Sequence, residues 1–92
     1  GADKDAYNYG LLDITSYEVT FTVKIGTTAQ ADVVIDCNGL TATTNASGVA
    51  KINLTNGVFN FTAKGAAIKD YAGKVNVAGA AVSVAVAATA AE

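Results

Sequence analysis

A strict alternation of apolar and polar side chains constrains the fold of this chain more than any other feature. Every second residue from position 17 to 25 is apolar, and the residues between them are polar. The apolar residues are Tyr17, Val19, Phe21, Val23 and Ile25. Successive side chains of a β-strand point to opposite faces, so this stretch predicts a strand with one buried face. The same period of two returns along most of the chain, and no stretch shows the 3.6-residue period of an amphipathic helix.

Turn residues divide the following sequence into short predicted strands. Residues 31–37 alternate and lead into Asn38-Gly39, a pair that favours a type I′ hairpin because both central residues of that turn adopt positive φ. The returning strand is predicted over residues 40–44. A second turn follows and ends at Gly48.

A second Asn-Gly pair, Asn56-Gly57, separates residues 49–55 from residues 58–64. If the turn contains two residues, it fixes the register of a hairpin in which Asn53 faces Asn60. The inward side chains of this hairpin would form one core patch: Ala50, Ile52, Leu54, Phe59, Phe61 and Ala63.

Residues 65–73 are the least periodic part, and the spacing of Ile68 and Tyr71 predicts one helical turn or an irregular crossover. Short strands are predicted at residues 74–77 and 82–86. We expect three parts: an N-terminal linker, edge strand or donor strand over residues 1–16, a domain over 17–87, and a frayed tail over 88–92.

The phase of the alternation changes within residues 1–16. Tyr7, Tyr9 and Leu11 share one phase, whereas Leu12 and Ile14 share the opposite phase. This change indicates either a β-bulge or a linker with a short edge strand.

Seven or eight short strands, separated by turns about every 8–12 residues, are typical of a β-sandwich. The apolar residues amount to 51% of the chain and are mainly small or β-branched, with 19 Ala and 11 Val. The sequence therefore predicts an all-β, antiparallel-dominated sandwich with a thin core.

Residues 41–63 resemble the carboxypeptidase regulatory-like domains of the prealbumin-like immunoglobulin group. The resemblance consists of a Thr-rich strand, an Asx-x-x-Gly turn from Asn45 to Gly48, an apolar strand, a turn at Gly57, and an aromatic-x-apolar-x-Ala ending at Ala63. It extends over about residues 17–87. The chain departs from the family in having Asn45 instead of Asp, and in placing Gly73 after Tyr71 where the family often has Gly-Tyr.

This resemblance implies a seven-stranded sandwich that serves as a stalk, spacer, binding or decoration module. Such modules occur in bacterial surface proteins, secreted enzymes and phage virions. The family motif contains no catalytic residue, so the resemblance carries none over to this chain.

The chain contains no His and no Arg, which excludes Ser-His-Asp and Cys-His catalytic sites and bidentate arginine clamps. The net charge of −2 and the isoelectric point near 4.8 argue against nucleic acid as a partner. The apolar residues 80–91 are too few, and too rich in Ala, to span a bilayer. We expect no enzymatic activity, no cofactor and no membrane insertion. Cys37, the only cysteine, is expected to be a buried thiol, with a link to another chain as the alternative.

Three groups of residues are candidate sites. Asp3, Asp5 and Asn8 are weak candidates for a metal site, because they offer oxygen ligands but no bidentate acid at suitable spacing. Three tyrosines are candidates for stacking on a sugar ring, namely Tyr7, Tyr9 and Tyr71. The outward phase supplies a polar interaction face made of Thr20, Thr22, Lys51, Asn53, Asn60 and Thr62.

Glycosylation sequons begin at Asn45, Asn53 and Asn60. They are acceptors only if the source organism glycosylates secreted proteins, and Thr-rich and Asn-rich strands also produce such triplets by chance.

The leading hypothesis is a non-enzymatic structural or interaction module of an extracellular, cell-surface or virion-surface assembly. Its partners would be other protein modules or copies of itself. One alternative is a self-assembling filament or coat subunit that uses residues 6–14 as a donor strand. The other alternative is a carbohydrate-binding module with a glycan as its partner.

Overall fold

Eight β-strands follow one another along residues 15–91, the part of the chain that the computed structural model describes, and this part contains no helix. The strands are β1 (Tyr17–Ile25), β2 (Thr28–Ala29), β3 (Val34–Cys37), β4 (Leu40–Thr43), β5 (Val49–Leu54), β6 (Gly57–Gly65), β7 (Ile68–Val77) and β8 (Val82–Ala87).

The strands form two sheets that pack face to face. In the first sheet β1 is the central strand. It pairs with β8 on one side, and its other partners are β5 and the two-residue β2. The second sheet has the order β4-β3-β6-β7. Strand β8 runs parallel to β1, whereas every other pair of strands is antiparallel. The chain is therefore an antiparallel-dominated β-sandwich, as the sequence predicts.

The core lies between the two sheets and follows the predicted alternation. The side chains of Val19, Phe21 and Val23 on β1 are fully buried. Across the core, the rings of Phe21 and Phe61 lie with their centroids 5.0 Å apart, at a tilted angle that aromatic pairs prefer. Valine and alanine fill much of the remaining interior, so the sheets pack through short side chains.

The first Asn-Gly pair forms the predicted hairpin. Asn38 and Gly39 have φ angles of 54° and 78°, as a type I′ turn requires, and Cys37 pairs with Leu40 beside the turn.

The second Asn-Gly pair does not form a hairpin, and the predicted pairing of residues 49–55 with residues 58–64 is wrong. Strand β5 pairs with β1, and β6 pairs with β3 and β7, so the connection at Asn56 passes from one sheet to the other. Asn56 lacks the positive φ of a type I′ turn, and its Oδ1 accepts a hydrogen bond of 2.7 Å from the Gly79 N–H. The predicted patch residues do face the core, but they do so from opposite sheets.

The predicted helical turn or irregular crossover within residues 65–73 is also wrong, because β7 already begins at Ile68 and continues to Val77. Its period is obscured because the exposed Ala72 and the inward-facing Gly73 carry little or no side chain. A Cβ on Gly73 would lie 2.8 Å from Cζ of Phe61, so glycine leaves the space that this ring occupies.

The tail was expected to fray, but residues 88–91 form backbone hydrogen bonds with the rest of the domain. The Ala88 N–H donates to the Lys24 carbonyl, the Lys69 N–H donates to Thr89, and the Ala91 N–H donates to Ala67. Backbone hydrogen bonds with both sheets therefore fix this segment. The predicted phase change and donor strand lie outside the described residues, and β1 begins at Tyr17.

Candidate functional surfaces

The six residues of the predicted interaction face lie on two opposite surfaces of the sandwich. Thr20, Thr22, Lys51 and Asn53 lie on the outer face of the first sheet, where Thr20 pairs with Lys51 across β1 and β5. Asn60 and Thr62 lie on the outer face of the second sheet. They are the register partners of Lys74 and Ala72 on β7. One interaction face cannot include all six, because the core separates the two groups.

The outer face of the first sheet carries short side chains beside a surface ion pair. Lys51 Nζ lies 3.9 Å from Glu18 Oε1, and both side chains are more than half exposed, so this contact contributes little to stability. A shallow depression on the β1 and β8 part of this sheet is lined mainly by Thr22, Lys24, Ala85 and Ala87. Lys51 and Asn53 on this face are exposed, and Thr20 and Thr22 are partly exposed, so all four side chains are accessible to a partner.

The outer face of the second sheet combines polar residues with two exposed valines. Val58 is 65% exposed and Val34 is 41% exposed, and both lie among the polar residues of β6 and β3. Leu40, at the edge of the same sheet, is 47% exposed. Isolated apolar side chains of this kind are common on folded proteins.

Thr44 is a buried polar residue whose role no local sequence pattern indicates. Its Oγ1 accepts a hydrogen bond of 2.9 Å from the Val33 N–H and donates one of 2.7 Å to the Gln30 carbonyl. Its backbone N–H donates to the Val33 carbonyl, and its carbonyl accepts from the Asp32 N–H. Asp32 has a positive φ of 61°, so Thr44 holds a strained loop against the end of β4.

The Asx-x-x-Gly motif forms the corner at which the chain passes from the second sheet to the first. Asn45 Oδ1 accepts hydrogen bonds from the N–H groups of Ser47 and Val49. Gly48 has a φ of 76°, and its carbonyl accepts from the Val23 N–H. A Cβ on Gly48 would lie 2.6 Å from the Val23 carbonyl oxygen, so both the backbone conformation and the space require glycine.

Cys37 is 1% exposed and belongs to the core, which agrees with the expectation of a buried thiol. Burial, and secondarily the neighbouring Asp36 carboxylate, raise the pKa of the Cys37 thiol. The thiol is therefore protonated near neutral pH and is poorly placed to bond to another chain.

The metal and stacking candidates lie mostly outside the described residues, namely Asp3, Asp5, Asn8, Tyr7 and Tyr9. Tyr71 is half-buried, and its ring stacks on Phe61 with a centroid distance of 6.0 Å. Within residues 15–91, no three His, Cys, Asp or Glu side chains come together as a metal site. No helix in that part of the chain has the length and apolar character needed to cross a membrane.

The chain enters and leaves the sandwich at opposite poles. The N-terminal pole is the end at which Tyr17 pairs with Leu54 and β8 begins beside Val19. The C-terminal pole is the end at which β1 and β8 both finish, where Lys24 pairs with Ala87. Because β1 contains nine residues, the two poles lie about 30 Å apart along the strands.

A solved structure of a DUF3823 family protein from Parabacteroides merdae is similar to this chain, with a TM-score of 0.72 and 12% sequence identity. The similarity covers 85% of this chain and 48% of the solved one, so this chain spans about half of that protein's length. At this identity the similarity shows the fold alone. No family model matches the chain, and no curated protein matches it.

Proposed function

We propose that this chain is a non-enzymatic structural and interaction module of an extracellular, cell-surface or virion-surface assembly, in which it acts as a spacer. The observation that carries the proposal is the position of the two poles. Because β1 and β8 run parallel, residues 15–16 and residues 88–91 lie at opposite ends of the sandwich. A domain connected in this way separates the segment before it from the segment after it by about the length of one strand, about 30 Å.

The composition supports the same role. A chain without His and Arg lacks the common side chains for proton transfer near neutral pH and for bidentate binding of anions. The outer face of the first sheet, with Thr20, Thr22, Lys51 and Asn53, is polar and accessible, and we propose it as the contact surface for a neighbouring protein module.

We also propose that the domain belongs to the carboxypeptidase regulatory-like group. Two observations support this assignment. The Asx-x-x-Gly motif forms the corner between the sheets, through the hydrogen bonds of Asn45 and the positive φ of Gly48. The fold is the β-sandwich that the resemblance implies.

A replacement experiment in the full-length gene product tests the spacer role. One variant lacks residues 17–91, and a matched variant carries in their place an unrelated β-sandwich whose termini also lie at opposite poles. If the domain is a spacer, the deletion weakens the binding of the segments on either side of it to their own partners. The unrelated β-sandwich then restores that binding. Failure of the replacement, while the original domain added back as a separate chain restores binding, contradicts the proposal.

Surface exposure is tested separately with an antibody raised against the folded domain. It is expected to bind intact cells or particles as strongly as permeabilised ones. Binding only after permeabilisation would show that the domain lies inside.

Self-assembly through residues 6–14 is a second candidate function, and the edge of β6 favours it. Among residues 15–91, β3 pairs with β6 only at residues 61–64, so within that part of the chain residues 57–60 have a paired neighbour, β7, on one side alone. An unpaired strand edge is a template for a strand from another chain.

Sedimentation velocity tests this candidate by comparing the full chain with variants that lack residues 1–14 or, as the control, residues 1–5. Donor-strand exchange predicts oligomers that the longer deletion abolishes and the shorter one retains. A monomeric full chain whose stability is unchanged by the longer deletion rejects the candidate.

A further inference from the structure

The first and last strands of the described chain are direct neighbours. Strands β1 and β8 pair in parallel over six register positions, from Val19 opposite Val82 to Lys24 opposite Ala87. Tension that pulls on the two ends of the chain draws β1 towards the N-terminal pole and β8 towards the C-terminal pole. The two strands then slide along each other, so their hydrogen bonds are loaded together and not one after another.

Residues 88–91 add a second attachment at the C-terminal pole. The Ala88 N–H donates to the Lys24 carbonyl over 2.9 Å, which continues the contact between β8 and β1. Beyond it, Ala90 forms a bridge with Ile68, flanked by two backbone hydrogen bonds of 3.0 Å. A force on the C-terminal end is therefore shared between the first sheet and the start of β7.

Strand β1 is also held by its pairing with β5 and by its side chains in the core. It pairs with β5 over six positions, from Tyr17 opposite Leu54 to Thr22 opposite Val49. Its inward side chains Val19, Phe21 and Val23 are fully buried in the core. Sliding β1 out of the sheet would expose these side chains to water at the same time as the hydrogen bonds break.

We propose that this domain resists mechanical tension, and that the shearing of β8 from β1 is the step that limits its unfolding under force. This property goes beyond the spacer role, since a spacer need only separate its neighbours, whereas a tension-resisting domain must stay folded while its ends are pulled. It belongs to the domain itself, so it is tested without knowledge of the partner.

Single-molecule force spectroscopy on one variant, Thr27→Cys, compares two directions of pulling. Thr27 is exposed in the turn after β1, at the C-terminal pole, and the buried Cys37 leaves the introduced thiol as the reactive attachment point. Pulling between residues 1 and 92 shears β1 against β8, whereas pulling between residues 27 and 92 peels the two strands apart from their common end.

At equal loading rate, we expect the shearing direction to need at least about twice the unfolding force of the peeling direction, because peeling loads one pair of strand partners at a time. Equal forces in the two directions overturn the proposal.

Two matched valine substitutions locate the resisting strands. Val86 on β8 and Val33 before β3 are both 1% exposed, so Val86→Ala and Val33→Ala remove the same buried groups from different places. We expect similar falls in the thermal midpoint, but a reduced shearing force only for Val86→Ala. If Val33→Ala lowers the shearing force as much, the β1–β8 pairing is not the limiting element. Should either variant fail to fold, the comparison of pulling directions still decides the proposal.

Discussion

Replacing Thr44 by valine tests whether a single buried hydroxyl holds the loop before β3. Valine keeps the shape of the side chain but removes an acceptor and a donor. The Val33 N–H, which now donates to Thr44 Oγ1 over 2.9 Å, would remain buried without a partner. The Gln30 carbonyl would lose its 2.7 Å bond, but it is only partly buried and can turn to water.

The magnitude follows from these two losses. A buried donor left without a partner costs about 1–3 kcal/mol, and the partly buried Gln30 carbonyl costs less because water can replace the hydroxyl. Relief from desolvating the hydroxyl offsets part of this cost. We therefore expect Thr44→Val to lower the free energy of unfolding by about 2 kcal/mol, which for a domain of this size corresponds to a fall in Tm of about 8–16 °C.

Denaturant unfolding and native-state hydrogen exchange measure this effect, with two control variants. Thr43→Val changes the neighbouring exposed residue and should stay within about 0.5 kcal/mol of the parent. Thr44→Ser keeps the hydroxyl and should retain slow exchange at the Val33 amide, whereas Thr44→Val should accelerate it. If Thr44→Val is as stable as Thr43→Val and the Val33 amide stays protected, the hydroxyl does not hold the loop and our reasoning is refuted.

Three further predictions concern glycines and the thiol. Gly48→Ala and Gly26→Ala both place a side chain at positive φ, which costs about 1–2 kcal/mol each. Only the new Cβ of Gly48→Ala also meets a backbone oxygen. Denaturant unfolding should therefore show that Gly48→Ala is the less stable of the two variants. Gly73→Ala forces the Phe61 ring to move, which NMR detects as shifted ring resonances and calorimetry as a lower Tm. Cys37 should react with a thiol reagent only as fast as the domain unfolds. Because burial raises its pKa in the folded state, the unfolded state loses the proton first, and stability should fall as the pH rises above 9.0.

The sequence predicted those parts of the fold in which a local pattern is sufficient. The alternation along β1 determines which side chains enter the core whatever strand lies beside it, and Asn38-Gly39 forms its turn within a few residues. No local pattern indicates the early start of β7, because Ala72 and Gly73 carry too little side chain to show a period. The hydrogen bonds that hold residues 88–91 connect positions about 20 residues apart or more, so no local pattern indicates them.

Thr44 illustrates a second limit. In sequence it continues the Thr-rich strand that ends at Thr43, and nothing distinguishes a threonine that faces water from one that faces a loop. Its role depends on Gln30 and Val33, which lie 14 and 11 residues earlier. A buried polar group becomes recognisable only when its partners are in place.

The candidate interaction face shows why a sequence can predict the core residues correctly and still group the surface residues incorrectly. Strands β5 and β6 were predicted to pair within one sheet, but they face each other across the core. In both arrangements Ile52 and Phe61 point inward, so the predicted core survives the error. The outward residues do not: neighbours in one sheet point to the same side, whereas strands in opposing sheets point away from each other. Asn53 and Asn60 therefore lie on opposite surfaces, and any partner that binds one surface of this sandwich contacts only one of them.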